Sequence, residues 1–472
     1  MSVEAVLQCS RGTVVAPAGC GKTHLITNTL DIRQPKPYLV LTHTTAGVAA
    51  LKQRLRQLAV PSQNYVVATI DGWALRIARA FPGLCPVLSQ PEQPNQYYHE
   101  LRQAVLNTLN SGQLSSIVRA SYSRLLVDEY QDCCRTQHQI VQAISGVIPT
   151  VVFGDPLQCI FNFNRVPMPD WDSEVLPYFP TLITMDTPWR WNNVGANDLG
   201  AWVLFCRQEL LAGRPIDFTF SPQSVTWSAN SGNANHDMSL QQASHYHLLH
   251  RHPSESVLII GESTNAYSRH QFAQRTNQLD VVEPVDLNDM TSSARACDEL
   301  QGLPLIESIL NTFSTLATNV ENTVTLRRIN SISAGRNRNA ATSFEQALIY
   351  LNTNKSATNI LNVFNELEAK QGVRIYRTAV FSALKEAVSI ASRNSEISIH
   401  SAAQQVRERR RHNGDKRIPH RAIGSTLLLK GLECDHALIL DAGNMNPSNL
   451  YVALSRGARS VHIYSQNQVY YS

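Results

Sequence analysis

Short β-branched or leucine-rich runs recur through the first 185 residues, at 13–16, 38–42, 66–69, 124–128 and 150–153. Most are followed by stretches with helical spacing; residues 47–58, for instance, place Val48, Leu51, Leu55 and Leu58 on one face. Strand–helix alternation of this kind predicts a parallel sheet covered on both faces. In such sheets ligands collect at the carboxyl ends of the strands, so the polar, glycine-bearing segments there are where chemistry is expected. A second alternating set begins near 181–185 and continues with a helix at 197–211, a strand at 256–260 and a helix at 268–279. From 285 to 411 the pattern is helical with Asn/Ser/Thr-rich breaks, and strands return at 422–427, 435–440 and 460–464. The expected architecture is therefore α/β: two parallel-sheet domains, each carrying a mainly helical insertion. The first domain comprises residues 1–83 and 122–185 with an insertion at 84–121. The second comprises 186–284 and 412–472 with an insertion at 285–411.

The length, 472 residues with 43% apolar and 17% charged, allows each of these domains its own core. No apolar run reaches the roughly 18 residues needed to span a bilayer, so no membrane association is expected. The first residues lack a charged-then-apolar leader pattern. Nine scattered cysteines without a C-x-x-C pair argue against a disulfide framework or a structural zinc site, and point to a reducing cytoplasm. The net charge of +4 is unevenly placed: residues 401–421 hold seven basic side chains against two acidic ones, so the remainder is nearly neutral. That run, which includes Arg409, Arg410 and Arg411, has two readings of equal weight, a phosphate grip or a solvated helix end.

Three segments at predicted strand ends carry chemistry. Ala16-Pro17-Ala18-Gly19-Cys20-Gly21-Lys22-Thr23 lies between a strand and a helix. Its glycines let the backbone wrap around phosphates, with Lys22 neutralising the β- and γ-phosphates of ATP and Thr23 binding Mg²⁺. Leu125-Leu126-Val127-Asp128-Glu129 ends a second strand in adjacent acids, placing Asp128 in the Mg²⁺ shell and Glu129 where a base orients the attacking water. A third strand ends in Gly154-Asp155-Pro156-Leu157-Gln158, with Gln158 set to sense the γ-phosphate and Phe161 and Phe163 close behind.

Taken in order, these segments resemble the signatures of the UvrD/Rep/PcrA branch of superfamily 1 DNA helicases. Leu41-Thr42-His43-Thr44 is similar to the family's Ia segment, and Ala68-Thr69-Ile70-Asp71-Gly72-Trp73 to its T-F-H-G element. Asp128-Glu129-Tyr130-Gln131-Asp132 resembles D-E-[FY]-Q-D, and Gly154-Asp155-Pro156-Leu157-Gln158-Cys159-Ile160-Phe161 resembles G-D-x-x-Q-S-I-Y. Pro188-Trp189-Arg190, Lys430-Gly431-Leu432-Glu433 and Tyr451-Val452-Ala453-Leu454-Ser455-Arg456 are similar to motifs IV, V and VI.

The resemblance implies two RecA-like domains of the P-loop NTPase type forming an ATP cleft. Ala18, Gly19, Cys20, Gly21, Lys22, Thr23 and His24 would line the nucleotide, Trp189 would stack on adenine, and Glu433 would approach the ribose. Arg190 and Arg456 would act as arginine fingers. Single-stranded or partly duplex DNA would run past His43, Thr69, Trp73 and Phe163, gripped by stacking and by basic groups.

The chain departs from the pattern at His24 (often Arg), Leu427 (often His) and Asn164 (often Arg), and shows no adenine-reading Gln near its start. Its short insertions resemble the compact UvrD-like subunit of the Gabija anti-phage system, which implies an OLD-family/TOPRIM nuclease as partner. The implied activity is ATP-driven translocation or unwinding with 3′ to 5′ polarity, in anti-phage defence or DNA repair. The alternative is a nucleotide- and DNA-sensing regulatory subunit that activates a partner nuclease. A metabolic P-loop kinase leaves Arg190, the Lys430-to-Glu433 segment and Arg456 without a role.

Overall fold

The computed structural model describes residues 3–89, 94–160, 167–336, 339–413 and 419–471. Phe161, Phe163, Asn164, Lys416 and Arg417 lie outside the described residues. The chain forms two compact units: residues 1–228 with 442–461 and 467–472, and residues 229–441 with 462–466.

The first unit is built on six strands, β1 (Arg11–Val15), β2 (Tyr38–Thr42), β3 (Tyr65–Thr69), β4 (Arg124–Val127), β5 (Thr150–Gly154) and β6 (Thr181–Thr184). They lie in the order β3-β2-β4-β5-β1-β6, and the paired strands run parallel. The run at 181–185, which the pattern placed at the start of a second set, is therefore the edge of the first sheet, paired to β1 from Thr13↔Thr181 onward.

Side chains alternate between two cores because successive residues of a strand face opposite ways. Leu39, Leu41, Leu125, Val127 and Val152 enter one core; Tyr38, Val40, Leu126, Val151 and Phe153 enter the other. Around the sheet lie α1 (Val3–Gln8), α2 (Lys22–Asp31), α3 (Thr45–Gln57), α4 (Ile70–Ala80), α5 (Pro94–Asn110), α6 (Ser115–Ser121), α7 (Arg135–Ser145), α8 (Leu176–Tyr178), α9 (Trp189–Asn192) and α10 (Asn197–Leu211). Threonine hydroxyls start two of them: Thr44 accepts from Gly47 N at 3.0 Å and Thr69 from Gly72 N at 2.9 Å. The order of the strands has one consequence for function. β4, β5 and β1 are neighbours at the sheet's centre, so the three polar segments at their carboxyl ends must meet.

After β7 (Ile216–Asp217) and β8 (Val225–Ala229), a second six-stranded sheet forms. It contains β9 (Val257–Ile260), β10 (Asp280–Val281), β11 (Arg421–Gly424), β12 (Cys434–Ile439) and β13 (Gly457–Ser465), in the order β10-β11-β9-β12-β13-β8. Pairing is parallel from β10 through β12. β14 (Val469–Tyr470) pairs antiparallel with β7. Helices α11 (Ala234–Arg251) and α12 (Ala266–Arg275) alternate with these strands.

Two boundaries differ from expectation. The strand expected at 422–427 stops at Gly424, because the Ser425 hydroxyl caps a short helix, Thr426–Leu429, by accepting from Leu428 N at 3.3 Å. The helix expected at 268–279 ends at Arg275, and residues 280–281 pair with β11. Between β10 and β11 the chain forms consecutive helices from Asn288–Glu299 to Ile399–Asn413, closed around Leu305, Ile309, Phe313, Phe364, Phe381 and Val388. Among the described residues, no helix is long and apolar enough to cross a membrane.

Three histidines of the second unit are pushed down to about 4: His462 by burial, His245 by burial and Arg421, and His270 by burial with Arg377 and Arg269. The unfolded chain therefore binds more protons than the folded one between pH 6.5 and 4, and stability falls as pH falls through that window. Each ring contributes about 1.4 kcal/mol per pH unit. Chemical denaturation should show a loss of about 4 kcal/mol between pH 7 and 5.5 if the three act independently. Constant stability over that range would contradict their neutral, buried state.

Candidate active site

The loop after β1 begins with Ala16, whose N–H donates to Gly154 O of β5 at 2.9 Å. It turns on two left-handed glycines, Gly19 at φ 73° and Gly21 at φ 89°, before Lys22 opens α2. A side chain at either glycine would strike a neighbour. A Cβ at Gly19 would lie 2.7 Å from Trp191 Cζ3 and 2.9 Å from Arg190 Cβ, and one at Gly21 would come within 3.2 Å of the Trp189 ring. Glycine is thus required by conformation and by close packing.

Lys22 Nζ lies 3.0 Å from Asp128 Oδ1 and also bonds Glu129. Burial works against the ammonium charge, but the two carboxylates more than offset it and raise the lysine's affinity for its proton. Burial also pushes the Asp128 carboxyl up, against Lys22 and together with Glu129. Glu129 itself is a non-glycine residue at φ 53°. Such strain costs about 1–3 kcal/mol and is held here by neighbours. Gln131 Nε2 donates to Glu129 Oε2 at 2.6 Å, and its Oε1 accepts from Asp155 N at 3.2 Å. One buried amide therefore ties the end of β4 to the end of β5.

Beyond β5, Asp155 is buried and accepts from Gln158 Nε2 at 3.1 Å and from Leu157 N at 3.3 Å. Its main partner is Arg207 of α10, which donates from Nη2 to Oδ1 at 2.8 Å and from Nε to both oxygens at 3.1 and 3.2 Å. Removing one member of a buried pair like this costs about 3–5 kcal/mol.

Arg190 and Arg456 belong to the same unit as Lys22. The Arg190 N–H donates to Gly19 O at 3.1 Å, and its guanidinium bonds Ser455 O. Arg456 is buried, donating from Nε to Val452 O at 2.8 Å and from Nη2 to Ser455 Oγ at 2.8 Å. Tyr451 OH accepts the Ala18 N–H at 2.9 Å. Cys20 is held as a thiol, pushed up to about 12 by burial and by Asp155.

Lys22, Asp128, Glu129, Trp189 and Arg190 are thus gathered around one loop, along with Thr23 and His24 at the start of α2. Gln158 is tied to Asp155, and Arg456 follows Ser455, whose carbonyl Arg190 bonds. Of the remaining expected residues, Glu433 and Lys430 belong to the second unit. His43 and Thr69 lie at the carboxyl ends of β2 and β3, where the Thr69 hydroxyl is engaged as a helix cap. Trp73, expected to stack on a base, lies instead on the inward face of α4, fully buried in the core shared with α5, and offers no face to a base. Its neighbour Asp71 is held bidentate by Arg102 of α5 at 2.6 and 2.7 Å. Arg409 bonds Glu386, Arg411 bonds Asp286 and Glu408, and Arg410 donates to Ala379 O at 3.2 Å.

Sequence reasoning assigned no role to Gln131, Tyr451 or Arg207. Arg207 had a visible signal, a charged residue on the apolar stripe of Leu199, Val203, Cys206 and Leu210.

The donors present suit a nucleotide with a hard cation: a glycine cradle for phosphates, a lysine, and the hydroxyl and carboxylate oxygens of Thr23 and Asp128. Among the described residues, one other set of metal-ligand types converges, His252, Glu255 and His436 of the second unit. Its separations of 2.9 and 2.6 Å are those of hydrogen bonds. Two ligands of one zinc ion would stand roughly 3.3 Å apart.

Residues 90–167 match the family profile described as the UvrD/REP helicase N-terminal domain. No curated protein matches the chain. Among solved structures it is similar to a complex of Arterivirus nonstructural protein 10 (helicase) with DNA. The TM-score is 0.34 and the identity 9%, covering 98% of this chain and 62% of that one.

Gly19→Ala should lower folding stability by about 1–3 kcal/mol, because the new methyl group meets Trp191 in a strained backbone. Gly83→Ala, in open space, should stay within about 0.5 kcal/mol of the parent. Thermal and urea unfolding of both variants checks the cradle; equal effects would show that the packing at Gly19 is not restrictive.

Proposed function

We propose that the chain is an ATP-driven DNA translocase or helicase of the UvrD-like type, with ATP hydrolysed at the Lys22 loop. The observation that carries this reading is the ion-paired set of Lys22, Asp128 and Glu129 beneath the glycine cradle. The two carboxylates satisfy the lysine as phosphate charge would. Nucleotide binding would draw Lys22 toward the β- and γ-phosphates and release Glu129 to orient a water. Thr23 and Asp128 would hold Mg²⁺, which when bound offsets phosphate charge. Gln158 would meet the γ-phosphate side of the site. Arg190 and Arg456 would stabilise charge on the transferring group, Trp189 would cover the base, and Glu433 would reach the ribose. The working halves would be residues 1–83 with 122–185, and 186–284 with 412–472. Translocation would be 3′ to 5′.

DNA contact is proposed at His43, Thr69 and Phe163, and at Arg409, Arg410 and Arg411. At the arginines a phosphate would replace a carboxylate or carbonyl already bound. Trp73 is not part of this proposal. The burial of Trp73 and the acid pairing of Arg409 and Arg411 favour a second reading, a nucleotide- and DNA-sensing subunit that regulates a nuclease of the OLD/TOPRIM type, in defence or repair.

Single-stranded DNA should stimulate phosphate release, and Lys22→Ala should abolish it. Glu129→Gln should lower turnover about 10²–10⁴-fold while nucleotide still binds. Turnover unchanged in both variants sinks the site assignment. Strand displacement by the isolated chain supports the motor; DNA-stimulated hydrolysis without displacement supports the sensor. Charge reversal at Arg409, Arg410 and Arg411 should weaken DNA binding and flatten its salt dependence, by about one unit of slope for each phosphate no longer neutralised. An unchanged slope returns the run to ordinary surface pairing.

A further inference from the structure

Arg207 is a cation with almost no access to water. It lies on the buried stripe of α10, and its guanidinium hydrogen-bonds to Asp155. Burial works against its charge, and Asp155 more than offsets this; Tyr451 and Cys20 are close enough to add to the effect. Buried ion pairs of this kind seldom stabilise a fold more than apolar residues of the same size would. Stability is therefore a weak reason for the pair, and what it holds in place is a stronger one.

Asp155 has two jobs besides pairing. Its Oδ1 accepts from Leu157 N, shaping the short 3₁₀ turn Pro156–Gln158, and its Oδ2 accepts from Gln158 Nε2 at 3.1 Å. The second bond fixes the rotation of the Gln158 amide, with the NH₂ end toward Asp155 and the Oε1 end away from it. An amide that orients an attacking water uses its oxygen as acceptor, so which end faces the site decides whether it works. Any carboxylate accepts from the NH₂ end, but one free to rotate would not hold that end, and with it Oε1, in one place. Arg207 bonds both oxygens of Asp155 through its planar fork, a constraint that the point charge of a lysine does not supply.

We propose that Arg207 is a positioning residue of the hydrolytic site: by clamping Asp155 it sets the orientation of the Gln158 amide. This rests on ATP hydrolysis at the Lys22 loop and names a residue of α10 on which that hydrolysis depends.

The test is a double-mutant cycle on the full chain, with single-stranded DNA present, reading kcat, KM and the affinity for a fluorescent ATP analogue. Arg207→Lys keeps the charge and loses the fork; Arg207→Met removes both. Each is made alone and together with Gln158→Ala, and far-UV circular dichroism and thermal unfolding establish that each is folded. Expected is a fall in kcat of about 10–100-fold for Arg207→Lys, with analogue affinity unchanged within about twofold. In the Gln158→Ala background the same substitution should produce no further fall, because the residue it positions is gone. If Arg207→Met does not fold, the Arg207→Lys cycle alone decides the matter. Full additivity with Gln158→Ala, or a loss confined to nucleotide affinity, overturns the positioning role while leaving the hydrolytic site intact. A parent chain that binds the analogue but releases no phosphate overturns the underlying reading, and this inference with it.

Discussion

A largely enclosed ammonium group held by two carboxylates is the constraint around which the first unit is arranged. Lys22 cannot lose its partners without leaving a charge in a poorly solvated place, and Asp128 and Glu129 cannot lose Lys22 without facing one another. At an effective dielectric of about 20, charges 4 Å apart interact by about 4 kcal/mol, more than the strain of about 1–3 kcal/mol held at Glu129. On the proposed reading, a triphosphate entering the loop would take over the lysine and at the same time bring negative charge toward both acids. The site would then favour that charge together with a cation, and Asp128 with Thr23 offers the oxygen ligands such a cation prefers. The ion pairing at Lys22 and the use of a divalent metal would follow from the same electrostatics.

The sheet makes this meeting possible. The glycine loop, acidic pair and Asp155 segment start from three adjacent strands, each with its side chains split between two cores. A one-residue slip of β4 or β5 would exchange the two faces and carry Asp128 or Asp155 away from the loop. The links found beyond the strand ends, Gln131 from Glu129 to Asp155 N and Tyr451 to Ala18 N, join segments already brought close by the sheet. They turn three flexible ends into one body.

Much of this was legible in the sequence, because strand periodicity and glycine spacing are local signals. The segments at Gly19 to Thr23, at Asp128 with Glu129, and at Gln158 were read from such patterns. The limits of that reading are equally physical. The short strands Ile216–Asp217 and Asp280–Val281 hold too few residues to show an alternation. The strand expected through residue 427 was cut by a serine cap, which leucine-rich composition conceals. Trp73 resembled an exposed stacking residue by its place in a motif, yet its position in the chain matches Ala74 and Ile77 on the inward face of α4. A motif gives order along the chain, and the helix phase decides which side of the sheet a residue reaches.

That distinction bears on how such a site would be coupled to a nucleic acid. Hydrolysis as proposed would need only groups at the strand ends of the first unit. Coupling needs surfaces that change when the nucleotide does, and the elements nearest the site are rigidly tied. Asp71 is clamped between Arg102 of α5 and Gln137 of α7, whose Nε2 donates to it at 3.1 Å, so the start of α4 is fixed to two other helices. A signal from the loop would then leave through parts with fewer bonds, and the end of β2 is one of them. There Thr42 precedes α3 through a single turn capped by Thr44. The Thr42 hydroxyl, enclosed and without a hydrogen-bond partner, marks it as a place where a small backbone shift would gain a bond instead of losing one.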